Sequence, residues 1–427
     1  MTNRQSGTAG KLHYGWIVAG VTFAALLVSA GIRSLPGVLM LPLEEEFGWD
    51  RSGISAAVSI NLVLYGLMGP FAAASMERFG VRRMMVTALS LLGAGLALST
   101  ATTALWQLNV LWGVVVGLGT SVMANVLGVT VANRWFVRRK GLVVGILTAS
   151  AATGQLLFLP LLAALSVQAG WRAAVWTAVA GIALMIPVVA RWVRNHPADI
   201  GVPPYGSDDL VEPAPFVGNL FLRPLSVLRS AMRSGTFWLL AGSFFICGFS
   251  TNGLIGTHLI PACGDFGIAE VTAAGLLAFM GVFDLIGTTL SGWLSDRFDS
   301  RWLLFWYYGL RGLSLLFLPT ALDSGYIQLT LFSVFYGLDW IATVPPTVKL
   351  TADKFGPAQA GIVFGWIVAF HQLGAAVAAF EAGLLREWFG SYDVAFMTAG
   401  YVCMLAALLS VRIRRTTQVR PARGASA

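Results

Sequence analysis

The sequence predicts an all-α membrane protein whose twelve transmembrane helices form two six-helix repeats. Three observations carry that expectation. Of 427 residues 56% are hydrophobic and only 11% charged, against about a quarter charged in a soluble domain, so lipid is the solvent for most of the chain. The apolar residues gather into runs long enough to cross a bilayer: at about 1.5 Å of rise per residue, a helix needs about 20 residues to traverse a hydrocarbon core roughly 30 Å thick. A polar, proline-rich stretch at 195–234, holding Pro197, Pro203, Pro204, Pro213, Pro215 and Pro224, divides six such runs from six.

Taken in order, the first run (15–40) is too long for a signal-peptide core and has no small-residue cleavage site behind it, so it is expected to remain as a helix. Runs 53–76 and 84–104 are separated by ERFGVRR, runs 107–132 and 141–166 by the basic WFVRRK, and run 173–192 ends at the divider. Beyond it come 235–258, 271–294, 303–321, 327–348, 360–385 and 392–411, with SDRFDSR between the second and third of them. The expected organisation is an N-terminal half (1–194), a linker (195–234) and a C-terminal half (235–427).

Charge placement orients the helices. The net charge of +8 does not call for nucleic acid, because the basic residues collect in alternate loops, among them Arg82, Arg83, Arg138, Arg139, Lys140, Arg412, Arg414 and Arg415. Only Arg51, Arg172 and Arg386 fall on the other side, and Arg33 and Arg311 within spans. The positive-inside rule then puts both termini and the linker in the cytoplasm of a multi-pass protein of the plasma (inner) membrane. Cys247, Cys263 and Cys403 lack ligand or disulfide spacing and are expected as apolar packing residues.

The halves are copies. Gly141, Gly145, Ala149 and Gly154 recur as Gly361, Gly365, Ala369 and Gly374, each 220 residues on, and SMERFGVRR (75–83) matches LSDRFDSRW (294–302) at an offset of 219. Two matches at nearly one spacing make a parallel internal repeat. The glycines themselves read as sites of close helix packing.

Two such halves with ERFGVRR and GWLSDRFDSR after the second and eighth spans resemble the major facilitator superfamily. That resemblance implies that Glu77, Arg78 and Arg82, and Asp296, Arg297 and Arg301, work as conformational latches. HYGWIV (13–18) and WFVRRKGLVVG (135–145) further resemble the monocarboxylate porters and oxalate/formate antiporters. Those porters place an acid in the eighth span with an arginine four positions later; here Asp284 is followed by Thr288.

A charge at the bilayer centre costs at least about 2.5–3.5 kcal/mol, so such residues are candidates for function. Arg33 stands about 25 Å along the first span, and its planar fork of donors suits a carboxylate. Asp284 is near mid-depth of the eighth span, and Arg311, in the ninth, can supply the cation missing beside it, as a fixed pair or as a movable partner during proton exchange. Asp339 offers a second proton site, and Tyr336, Asp339, Trp340 and Thr343 share a helical face by their spacing. Glu381 lies near a helix end and is discounted. His371, whose imidazole is the side chain that titrates nearest neutrality, and Asn125, Gln155 and Asn252 complete the candidate cavity wall.

The expected function is secondary active transport of a small organic anion, a monocarboxylate moved with protons or exchanged for another anion, by a monomer that needs no cofactor. No phosphate-binding GxxxxGK[ST] loop suggests ATP drive. The alternative transporter reading is proton-coupled export of amphipathic drugs or metabolites. An enzyme is not expected, because no nucleophile and base constellation is present.

Overall fold

The computed structural model describes residues 13–210 and 222–413; the expectations for the extreme termini and for linker residues 211–221 lie outside them. Among the described residues twelve long helices follow one another: α1 Tyr14–Phe47, α2 Arg51–Phe79 and α3 Val81–Ser99, α4 Leu105–Trp135, α5 Lys140–Ala169 and α6 Trp171–Trp192, α7 Gly235–Asp265, α8 Glu270–Arg297 and α9 Ser300–Ser324, α10 Tyr326–Phe355, α11 Pro357–Phe389 and α12 Asp393–Val411. Ten are long and apolar enough to cross a membrane. The other two, α5 and α9, are of similar length at 30 and 25 residues. Single glycines with positive φ, Gly80, Gly170, Gly325 and Gly356, turn the chain between consecutive helices, a backbone region in which other residues are strained.

Buried side chains form two cores. One draws on α1 to α6, the other on the linker helix Leu222–Ala231 and α7 to α12, with Val38, Leu159 and Ala163 of the first six helices joining the second. The repeat is visible in packing. Gly154 brings α5 within contact of Leu27 and Ala30 on α1, and Gly374, 220 residues on, brings α11 against the carbonyl of Phe245 on α7. The other glycines of the repeat do not all behave so: a Cβ at Gly145 or Gly361 would meet nothing, so their recurrence has no packing account.

The two porter-like motifs come together as a clasp at the helix ends on the basic face, where Arg82, Arg138 and Arg301 stand. Trp16 packs edge-on to Phe136 at 5.0 Å and Tyr14 against Trp135 at 5.8 Å. Tyr205 of the linker closes the cluster against His13, Trp16 and Phe136. Its backbone pairs with Trp135, Val137 and Arg138, and His13 bonds the carbonyl of Pro203 at 3.1 Å. These motifs anchor the linker to the first half; they do not face a ligand.

Three helices are irregular where they matter. α4 winds as a π-helix over Asn109–Val116 and breaks at Met123 and Ala124, and α7 winds likewise over Phe249–Ile255. α10 is interrupted between Asp339 and Val344, ahead of Pro345 and Pro346, which have no N–H with which to continue a helix. Irregular backbone at membrane depth is tolerated only where other groups satisfy it.

Candidate functional site

A cavity of about 280 Å³ lies between the halves. The first half supplies Arg33, Asn61, Leu62, Tyr65, Trp112 and Thr120, and the second Phe244, Asn252, Asp284, Trp340, Val368, His371 and Gln372. Arg33 projects from α1, and its Nη1 donates to the Tyr65 hydroxyl at 2.8 Å. Among the described residues no carboxylate pairs with it. Asn61 stands one turn before Tyr65 on α2, and its amide donates to the carbonyl of Trp112 at 2.9 Å, a group within the π-wound stretch of α4. Asn61 and Tyr65 escaped sequence reasoning, although their spacing of four marks one polar stripe on an apolar helix.

Asp284 also lines the cavity, and two donors converge on its Oδ1: the Thr288 hydroxyl at 2.8 Å and the backbone N–H of Ile341 at 2.9 Å. Thr288, where the resembled porters carry arginine, therefore holds the acid by a hydrogen bond rather than by charge. The cation expected beside Asp284 is elsewhere. Arg311 pairs with Asp339, Nε to Oδ2 at 2.6 Å, and not with Asp284. Its Nη2 donates to the carbonyls of Asp339 at 2.5 Å and Trp340 at 3.3 Å. Its Nη1 faces Cys247 Sγ at 2.9 Å and Ser250 Oγ at 3.4 Å. Arg311 is 1% exposed and all five of its donors have partners, so it has none to offer a ligand.

These contacts together clamp the interruption in α10. A helix ends on unpaired carbonyls carrying partial negative charge and begins on unpaired N–H groups carrying partial positive charge. Arg311 caps the end of the first half-helix, and Asp284 accepts the Ile341 N–H inside the interruption, ahead of the second half-helix that begins at Val344. The break also divides the face on which Tyr336, Asp339, Trp340 and Thr343 were expected together. Trp340 lines the cavity; Tyr336 is buried behind it, donating to the Ser250 carbonyl at 2.7 Å, and Thr343 meets Cys247 at 3.2 Å. Of the expected ligand-binding residues, Arg33, Asn252 and His371 line the cavity and Arg311 and Tyr336 do not. Of the expected proton sites, Asp284 lines it and Asp339 does not. The side chains of Asn125, Gln155 and Asp296 lie outside the described ones.

At the basic face Glu77, Arg78 and Arg82 are exposed. Arg297 lies over the Trp293 ring and Arg301 pairs with Asp299 at 2.7 Å. Among the described residues none of these side chains bonds from one half to the other. The latch that is engaged lies at the opposite face. Arg51, at the start of α2 and 7% exposed, pairs with Glu44 at 2.8 Å and, across the halves, with Asp265 at 3.1 Å. Asp265 is shared with Arg386 at 2.6 Å, and the Tyr392 hydroxyl reaches Arg51 at 3.3 Å and His258 at 3.2 Å. Ser52 adds a backbone N–H to Glu387 at 2.7 Å.

Breaking this latch is expected to open the cavity to that face. With a cysteine at cavity-lining Leu62, Arg51→Gln should raise labelling by an impermeant maleimide added on the Arg51 side by about tenfold or more, each tenfold being about 1.4 kcal/mol of conformational bias. Cys263 and Cys403 are buried away from the cavity, whereas Cys247 lines it, so the comparison is made in a Cys247→Ser background. Unchanged labelling would mean that the network does not hold the halves together.

A sequence model of the Major Facilitator Superfamily matches residues 21–379 and, in a second alignment, 252–427. The chain belongs to that superfamily. It is 26% identical to the MFS-type transporter YcxA of Bacillus subtilis (strain 168), over 92% of this chain and 91% of that one. It is 24% identical to monocarboxylate transporter 12-B of Danio rerio, over 95% and 88%, and 26% identical to monocarboxylate transporter 13 of Bos taurus, over 91% and 86%. Among solved structures the fold is shared with a D-xylose–proton symporter, at TM-score 0.74 and 14% identity over 95% of this chain and 99% of that one. It is shared too with a bacterial homologue of the human lysosomal transporter Spinster, inward-facing and unoccupied, at TM-score 0.71 and 14% identity over 96% and 100%. The protein is a membrane-spanning transporter and not an enzyme.

Proposed function

We propose that this transporter carries a small organic anion, a monocarboxylate, together with a proton or in exchange for another anion. It does so as a monomer in the plasma (inner) membrane with its basic face in the cytoplasm. Arg33 carries the reading. A guanidinium in a membrane cavity whose polar partner is a neutral phenol is under-neutralised, and a carboxylate completes it through two parallel hydrogen bonds. The monocarboxylate transporters among its relatives support the same substrate class. An exporter of amphipathic compounds needs no cation at this point, and Arg33 argues against it.

In the proposed cycle the halves 1–194 and 235–427 rock about the cavity, joined by the 195–234 linker. Glu77, Arg78 and Arg82, with Asp296, Arg297 and Arg301, close the cytoplasmic face when the Arg51 latch opens. Asp284 takes up and releases the proton. When ionised, it holds the Ile341 N–H inside the interruption of α10 by a charge-assisted hydrogen bond; when protonated, it is a weaker acceptor, which couples proton state to the geometry of the cavity wall.

The test is uptake by purified protein in liposomes, against a panel of labelled carboxylates with and without a pH gradient. Arg33→Lys keeps the charge but loses the fork and should weaken apparent affinity about tenfold, and Arg33→Gln should weaken it further. If both variants carry a confirmed anion with unaltered affinity, or if no carboxylate is carried, the anion reading is wrong.

A further inference from the structure

Among the described residues, two buried polar atoms of cavity-lining side chains have no hydrogen-bond partner: Gln372 Oε1 and His371 Nδ1, on neighbouring residues of α11. Gln372 is 5% exposed. A buried acceptor left unpaired costs about 1–3 kcal/mol, and nearly all such atoms in folded proteins find a partner. Both residues line the cavity beside Phe244, Phe364 and Val368, and a turn of the Gln372 amide or of the His371 ring presents the unpaired atom to a ligand there.

Their depth relative to Arg33 follows from helix packing. Gly37 on α1 packs against the backbone of Gly256 on α7, so those two residues lie at one level. Arg33 is four residues back along α1, roughly 6 Å toward the basic face. On α7, Gly248 is eight residues back from Gly256, and it packs directly against the backbone of His371. Eight residues, most of them π-wound, amount to roughly 10–12 Å. The unpaired pair therefore lies roughly 4–6 Å deeper than Arg33, with the width of the cavity in addition. Both helices run from the basic face, so their side chains tilt the same way and the offset survives. Tyr65 and Gly66 agree with it: on α2, which runs oppositely, the Tyr65 hydroxyl rises to Arg33 while Gly66 packs on Gln372.

Resting on the reading of Arg33 as the carboxylate anchor, the geometry points to a substrate with a second, remote polar group: a monocarboxylate whose hydroxyl is separated from the carboxylate by an apolar stretch. Gln372 and His371 are the residues that select for it. A 2-hydroxy acid does not fit the spacing, because its hydroxyl lies within about 3 Å of the carboxylate. A site built around hydrogen-bond partners discriminates strongly against ligands that leave them unpaired.

The experiment is binding to the intact purified protein in lipid nanodiscs by isothermal titration, comparing hexanoate, 2-hydroxyhexanoate and 6-hydroxyhexanoate. The expected result is that 6-hydroxyhexanoate binds at least tenfold more tightly than the other two. Gln372→Met, which keeps the side-chain length against Gly66, should remove that advantage, and Arg33→Gln should weaken all three. Equal affinities of the three ligands for the wild-type protein, with Arg33 still required, would overturn the remote hydroxyl and leave the anion reading standing. Failure of all three to bind would overturn both. The wild-type comparison decides without depending on how any variant folds.

Discussion

Arg311→Met should abolish most of the folded protein. The change removes the guanidinium that pairs with Asp339 at 2.6 Å and caps the Asp339 and Trp340 carbonyls at the interruption of α10. It strands a carboxylate that is 6% exposed. Removing one partner of a buried pair costs about 3–5 kcal/mol, most of it the penalty of the charge left behind, and that is a large share of the about 5–15 kcal/mol that holds a typical domain folded. Monodisperse yield and melting temperature after purification are the readouts. Arg311→Met with Asp339→Leu should recover much of the loss, because a pair replaced by apolar groups of similar volume leaves no charge uncompensated. Exchanging the charges of Asp284 and Arg311 should recover nothing, because those two residues are not partners. A well-folded Arg311→Met protein would mean that the clamp on α10 contributes little to stability.

The pairing could not be read from the chain because it depends on a helix that stops. FYGLDWIATVPP reads as one helical face if the helix is continuous, and on that assumption Asp339 points with Trp340 into the cavity. Pro345 and Pro346 signal the restart of the helix but do not say where the first half ends. Once it ends after Asp339, the carbonyls of Asp339 and Trp340 need donors, and Arg311 on the neighbouring helix becomes a cap as well as a counter-ion.

What depends on hydropathy and spacing was legible. The helix succession follows from apolar run lengths, and Gly154 and Gly374 were found by their common offset and then packed at equivalent helix pairs, α5 on α1 and α11 on α7. Arg33 and Asp284 were found because a charge is conspicuous in an apolar run, and both line the cavity. Tyr65 and Asn61 are neutral and inconspicuous, and their importance comes from which helices meet. The Arg51 and Asp265 latch was missed for a related reason: both residues sit at helix ends, where a charge is ordinary, and only the meeting of the two halves pairs them.

Asp284→Asn should separate transport from its driving force. Asparagine keeps the size of the side chain and a carbonyl oxygen able to accept from Thr288 and from the Ile341 N–H, so the local geometry at 2.8 and 2.9 Å can persist. It cannot take up a proton, and it puts no charge beside the interruption of α10. For symport of one proton, a gradient of one pH unit supplies about 1.4 kcal/mol, enough for about tenfold accumulation. In liposomes acidic outside, wild-type protein should approach that ratio with a confirmed substrate, whereas the Asn variant should stop near equal concentrations. Exchange of preloaded for external substrate requires no net proton movement, so it should continue in the variant at a rate within a few-fold of wild type. If exchange is lost as well, Asp284 is needed to build the cavity and not only to couple it. A folded Asn variant that still accumulates substrate in response to the pH gradient would place the coupling proton on another group, and the cavity-lining His371 would be the next to replace.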